Sequence, residues 1–113
     1  MRIKQSESTK INNSDACTIW EYAYPSDASS VAVAHIDGRY PAAGRVVNTE
    51  CEEVYYVLSG SGVVHMDQEE LSIAEGDLCY FSANESWCVE GDSLKLLVVN
   101  APKWRPEQHE IIE

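Results

Sequence analysis

"NTECEEVYYVLSGSG", residues 48–62, decides how the rest of the chain is read. From Glu53 to Leu58 it has the two-residue period of a strand: Glu53, Tyr55 and Val57 share one face, and Val54, Tyr56 and Leu58 share the other. Both faces are mostly apolar. An antiparallel strand with one wet face alternates apolar and polar residues, so this strand is expected to be covered on both sides. "KLLVV", 95–99, has the same character. Gly60-Ser61-Gly62 reads as a tight turn, with "VVHMD" (63–67) as the second arm of a hairpin.

The flanking sequence repeats this grammar. "CTIWEYAY" (17–24) and "VAVAHI" (31–36) are rich in aromatic and β-branched residues, and "DGRYP" (37–41) reads as the turn after them. "EELSI" (69–73), "LCYFS" (78–82) and "SWCVE" (86–90) follow. A turn at Gly91-Asp92 leads to "SLKLLVVN" (93–100). No segment carries a helical period. The expected fold class is all-β, an antiparallel β-barrel or jelly roll. The 113 residues suit a single domain over 1–113, with 1–14 loose, a core over about 30–100 and a C-terminal tail over 101–113. The two-sided strands need an outer cover. The N-terminal strands (about 17–36) of the same chain supply it, or a second copy does, giving a homodimer.

Eight Lys and Arg against nineteen Asp and Glu leave a net charge of −11. That argues against nucleic acid, whose phosphates demand cations, and against an anionic membrane surface, so neither is an expected partner. No apolar run reaches bilayer length. "MRIKQSESTKINNSDA" has early cations with no apolar stretch behind them, unlike a secretory signal, and a cytoplasmic location is expected. Cys17, Cys51, Cys79 and Cys88 form no C-x-x-C pair. Cys17, Cys79 and Cys88 sit among apolar or aromatic neighbours and are expected as free core thiols. Cys51 has no histidine adjacent in sequence to lower its pKa and reads as inert.

From about Gly38 to Asn100 the chain resembles a single-domain cupin. Glu53, "VYYVLS" and Gly60 match the end of that family's first motif. Gly76-Asp77, "LCYF" and "SANES" match the second, up to Trp87, which stands where the family has a histidine. The resemblance implies a small barrel with its site inside. It also implies two more histidines shortly before Glu53, at positions that here fall on Val46 or Val47 and on Asn48 or Thr49. Of the implied metal ligands only Glu53 remains, and one carboxylate does not hold a transition metal. The metal motif is degenerate, and no metal and no cofactor are expected. The exception would be a site rebuilt from Cys51, Glu53 and one of His35, His65 and His109. The tail "PKWRPEQH" (102–109) resembles the ending of a group of small bacterial cupins of unassigned function with similarly replaced histidines.

The resemblance aims Glu53 and Trp87 at one interior point. Tyr55 shares the strand face of Glu53, and Tyr80 is placed with them although it stands an odd number of residues from Trp87 across a turn. These four are the expected ligand-binding residues. Glu53 reads as a ligand-contacting acid with a raised pKa, available as a catalytic general acid or base, or else as a carboxylate at the barrel mouth, in water or paired with Arg39 or Arg45. Trp87 reads as a pocket wall or as core filler. The expected function is metal-independent binding of a small polar ligand, a sugar or small carboxylate. The alternatives are an isomerase or epimerase using Glu53 as acid or base, and a metal-dependent cupin enzyme of unusual ligand set.

Overall fold

The computed structural model describes residues 1–113. It contains nine strands: β1 (Thr9–Ser14), β2 (Cys17–Tyr22), β3 (Ser30–Tyr40), β4 (Arg45–Asn48), β5 (Glu52–His65), β6 (Glu70–Ala74), β7 (Leu78–Phe81), β8 (Ser86–Ala101) and β9 (His109–Ile112). Two short 3₁₀ turns, Gln5–Glu7 and Pro106–Gln108, are the whole of its helix. Every strand pairing is antiparallel, in the order β1-β2-β3-β8-β4-β9, with β5 lying against β8, β6 and β7. The sheet curls into the expected barrel-like, all-β architecture.

The glycines work differently from the expectation. Gly60-Ser61-Gly62 closes no hairpin, and β5 runs unbroken through it. Gly91-Asp92 likewise lies inside β8, and Gly38 inside β3. Gly38 faces Gly91, and Gly91 faces Gly62, so three glycines lie side by side across three neighbouring strands. Ladder irregularities fall just before them, between Ile36 and Gly38 and between Val57 and Ser61. This row is a corner, where long strands bend from one end of the barrel to the other. A Cβ on Gly91 would sit 2.3 Å from the Ile36 carbonyl oxygen and 3.0 Å from Leu94 Cβ. Gly76, in contrast, has φ +89° and nothing within 4 Å of an added Cβ. Gly91→Ala is therefore expected to lower stability by about 3 kcal/mol through backbone overpacking. Gly76→Ala should cost only the left-handed penalty, roughly 1–2 kcal/mol. Urea unfolding of the pair checks the order.

Inside the curl, Val57, Val64, Val89, Leu94 and Leu96 are completely buried, with Ile36, Val46, Phe81 and Trp87 beside them. The outer face of the same sheet is also apolar. One cross-strand row reads Trp20, Val33, Leu97, Tyr56, Leu78, and the next reads Tyr22, Val31, Val99, Val54, Tyr80. The N-terminal strands do not fold over this face. They extend the sheet edge beyond β3, because their free backbone groups pair there in register, Trp20 with Val33 and Lys10 with Trp20. The first fourteen residues, expected to be loose, are thus held as a 3₁₀ turn and strand β1. All four cysteines are free and buried. No helix is long and apolar enough to cross a membrane.

Candidate functional site

Parity on β5 turns Glu53, Tyr55 and Val57 inward, as expected. Glu53 is 7% exposed and has no arginine beside it. Arg39 donates to the carbonyls of Pro41 and Gly44, and Arg45 pairs with Asp67, so the expected ion pair with either arginine does not form. Two amides hold the carboxyl instead: Asn100 Nδ2 donates to Oε1 at 2.8 Å, and Asn48 Nδ2 donates to the same atom at 3.1 Å. Oε2 takes no amide bond. No fully buried side-chain polar atom lacks a partner, so Oε2 opens on the interior space beside the Tyr55 hydroxyl. Burial pushes the Glu53 pKa up, against the opposing hydrogen bonds of Asn100, Asn48 and Tyr55. The Tyr55 and Tyr40 hydroxyls are also held protonated, chiefly by burial, Tyr40 at about 12.

That interior space is a cavity of about 510 Å3. Its lining includes the polar Glu53, Asn100, Tyr40, Tyr55 and His109 and the apolar Ile11, Ile19, Ala34, Val46, Val98 and Trp104. β1, β2 and β3 make one wall and the C-terminal tail another, so the start of the chain, read as loose, and the tail both help to complete the cavity. Lys103 is the only lysine or arginine that lines it.

The four expected ligand residues do not all converge. Glu53 and Tyr55 line the cavity. Trp87 lies behind them, 1% exposed, stacked on Phe81 with ring centres 4.0 Å apart and donating from Nε1 to the Tyr55 hydroxyl at 3.2 Å. It supports Tyr55 and does not face the cavity. Tyr80 points the other way: it pairs with Val54 on the outer face, is 53% exposed, and donates its hydroxyl to Glu52. Tyr80 stands an odd number of residues from Trp87, and despite the intervening "SANE" turn, with Asn84 at φ 71°, the two do lie on opposite faces.

Asn48, Asn100 and Gln108 were not foreseen as site residues, and His109 was foreseen only as a ligand of the rebuilt metal site. Asn100 was legible, since Leu94, Leu96, Val98 and Asn100 share one face of β8. The other three meet because β9 pairs with β4, bringing His109 opposite Asn48. Gln108, 3% exposed, accepts at Oε1 from the backbone N–H groups of Glu50 and Cys51. Its Nε2 donates to Asn48 Oδ1 at 3.0 Å, and His109 Nδ1 approaches the same oxygen at 2.8 Å. Burial lowers the His109 pKa.

A family model described as a cupin domain matches residues 41–100, more than half of the chain. The chain belongs to the cupin family. Its full length is similar to an uncharacterized protein of Methanocaldococcus jannaschii, 26% identical over 100% of this chain and 98% of the relative. The fold of this cupin is similar to that of Pac13 from Streptomyces, a nucleoside dehydratase also solved with uridine, at TM-score 0.90 and 18% identity over 100% of this chain and 91% of that one. It is similar too to an RmlC-like cupin from Shewanella frigidimarina, at TM-score 0.75 and 13% identity over 93% of this chain and 92% of the other.

Among the positions where the family resemblance places histidines, Val46 and Asn48 are the inward pair, and the third is the buried Trp87. A valine and an indole offer no lone pair for a metal, and the Asn48 oxygen is already taken by Gln108 and His109. The donor set does not fit a transition metal. The rebuilt alternative is not assembled either, since no group of three His, Cys, Asp or Glu shares a possible metal position. Cys51 Sγ contacts Gln108 and Asn100 instead. His65 sits between Glu70 and Glu90 at the surface, and His35 is exposed on the outer face.

Proposed function

We propose that this cupin binds a small, neutral, hydroxylated molecule in its barrel, without a metal. One observation carries the reading: a buried carboxyl fixed at Oε1 by two amides, with Oε2 open to a cavity of about 510 Å3. That volume lies in the range of ordinary small-molecule sites, roughly 300–1,000 Å3. In its protonated form, which burial favours, the carboxyl donates from Oε2 to a ligand oxygen, while the Asn100 and tyrosine groups beside it supply further polar contacts. The apolar flanks suit the C–H faces of a ring. Of the two ligand classes expected from the sequence, the sugar-like one fits better. A carboxylate ligand would meet Glu21, with Lys103 as the only lining lysine or arginine. The uridine bound by the structurally similar Pac13 is also a neutral, hydroxylated ring compound.

Titration calorimetry against uridine, neutral monosaccharides and small dicarboxylates tests this. Binding confined to the neutral hydroxylated compounds is expected. Binding confined to the dicarboxylates, or to none of the panel, would overturn it. Elemental analysis of the same samples is expected to show no stoichiometric transition metal, and near one ion per chain, lost in Glu53→Gln, would contradict the metal-free reading.

A second reading, an isomerase or epimerase with Glu53 as acid, is favoured by the pair of opposed shifts: burial raises Glu53 and lowers His109. Groups whose environments push their pKa values apart are the usual basis of acid and base assignments.

Assembly belongs to the same proposal. Leu78 is 62% exposed and Tyr80 53%, with Tyr56 and Leu58 beside them on the outer sheet face. A second copy covering this face gives a homodimer. Sedimentation is expected to show a dimer at micromolar concentration that Leu78→Glu converts to monomer, and a monomeric wild type would refute it.

A further inference from the structure

His109 is the least explained polar group in the cavity, and its chemistry follows from a chain of hydrogen bonds that begins at the backbone. Backbone N–H groups only donate, so the Gln108 atom that meets Glu50 N and Cys51 N, each at 3.2 Å, must be its oxygen. The other end of Gln108 is therefore –NH₂, and the Asn48 atom it meets at 3.0 Å must be an oxygen. The hydrogen-bond pattern alone thus fixes which end of each amide is oxygen. Asn48 then turns its –NH₂ to Glu53 Oε1 and its oxygen to His109 Nδ1. An amide oxygen accepts only, so Nδ1 carries the proton. In a neutral imidazole the other nitrogen, Nε2, then has a bare lone pair. Nε2 has no protein partner, and no fully buried side-chain polar atom is unpartnered, so Nε2 keeps accessible surface on a residue that lines the cavity.

We propose that His109 is the proton acceptor of this cavity, and that Gln108 acts as a positioning residue that fixes its tautomer through Asn48. The site then presents an acceptor and a donor on the two ends of one amide: Nε2 of His109 on the oxygen side of Asn48, and the Glu53 carboxyl on its nitrogen side. The ligand class this pair recognises is a compound with a hydroxyl or acidic C–H next to a carbonyl or second hydroxyl. In a proton-transfer reaction Nε2 takes the proton of the substrate C–H. The C–H electron pair forms the new C=C bond of an enediol, and the carbonyl oxygen takes the Glu53 proton. His109 then gives its proton to the neighbouring carbon while the Glu53 carboxylate takes the proton of the neighbouring hydroxyl, whose oxygen becomes the new carbonyl; both residues are neutral again and nothing is consumed. Burial of His109, which disfavours its cation, keeps Nε2 unprotonated in the resting state. Trp104, 5.3 Å from the imidazole centre, packs against the ring.

This deepens the ligand reading and depends on it only for what fills the cavity. The test is long-range proton–nitrogen NMR across the histidine rings of the full, isotope-labelled chain at neutral pH. The expected result for His109 is a single tautomer, with the proton on Nδ1 and Nε2 bare. In Gln108→Met, which keeps the length but loses the donor, a second tautomer with the proton on Nε2 is expected to appear. Adding uridine is expected to shift the Nε2 resonance of the wild type. A wild-type His109 protonated on Nε2, or already a mixture of tautomers, overturns the inference whether or not any ligand binds and whether or not the variant folds. The expected tautomer with no uridine-induced shift at Nε2 or at any other cavity resonance overturns the acceptor role towards uridine and counts against the ligand reading, and it leaves the amide relay established.

Discussion

Cutting Trp87 back to alanine is expected to cost about 3–5 kcal/mol, the range for removing a buried aromatic ring. Trp87 is 1% exposed and stacks on Phe81 with 9° between the ring planes, while Tyr55 meets both rings edge-on. Alanine would leave a void against the Phe81 and Tyr55 rings and remove the N–H that the Tyr55 hydroxyl accepts. For a domain whose total stability is on the order of 5–15 kcal/mol, that is a large share. Urea unfolding measures it. Trp87→Phe keeps a ring against Phe81 and drops only the donor, so its cost should fall to roughly 1–2 kcal/mol. Equal losses in the two variants would mean that the hydrogen bond to Tyr55, and not the packing, dominates at this position.

Glu53→Gln is expected to act in the opposite place, on the ligand and not on the fold. Glutamine still offers one oxygen to Asn48 and Asn100, so the contacts at Oε1 persist. The atom facing the cavity becomes an amide, and the acid proton is lost. Weakening of ligand affinity by roughly two- to twelvefold is expected, since a hydrogen bond between neutral groups is worth about 0.5–1.5 kcal/mol. The pH dependence has a definite sign. Because the folded-state pKa of Glu53 is raised, the folded chain keeps a proton that the unfolded chain releases. That contribution to stability is fully present below the ordinary carboxylate range and is lost as pH rises through the folded-state value. Glu53→Gln removes this loss, so the variant should show a flatter stability profile and be at least as stable as wild type at neutral pH. A variant clearly less stable there would mean that Glu53 is ionised and that its two amides hold a charge.

The framework of the site was legible because it rests on spacing. The two-residue period placed Glu53 and Tyr55 on one inward face, and the motif around Gly60 and Gly76 announced the barrel. Two things were not legible. A glycine pair in a β-rich sequence marks either a turn or a bend, and only the neighbouring strands decide which: Gly62 and Gly91 lie opposite one another in the ladder, a relation that no local reading contains. The cavity walls were also hidden, because β1 and the tail are polar and their partners are distant in sequence. His109 meets Asn48, sixty-one residues away, only through the pairing of β9 with β4. Asn48 itself was flagged as a position of loss, and its gain as the amide that joins Gln108, Glu53 and His109 appears only with those partners in place.

The glycine corner has a consequence for how the chain reaches its native state. β3, β5 and β8 each pass through the corner and contribute to both ends of the barrel, and most of their partners are far away in sequence. Neither end is an independent folding unit. Closing one end requires the same strands that close the other, so the loop-closure entropy of the distant pairings must be overcome before either is secure. Such a molecule folds slowly for its size and opens as a whole. The ligand cavity therefore sits in a wall that yields only with the rest of the molecule, and amide exchange along β3, β5 and β8 should proceed through global unfolding.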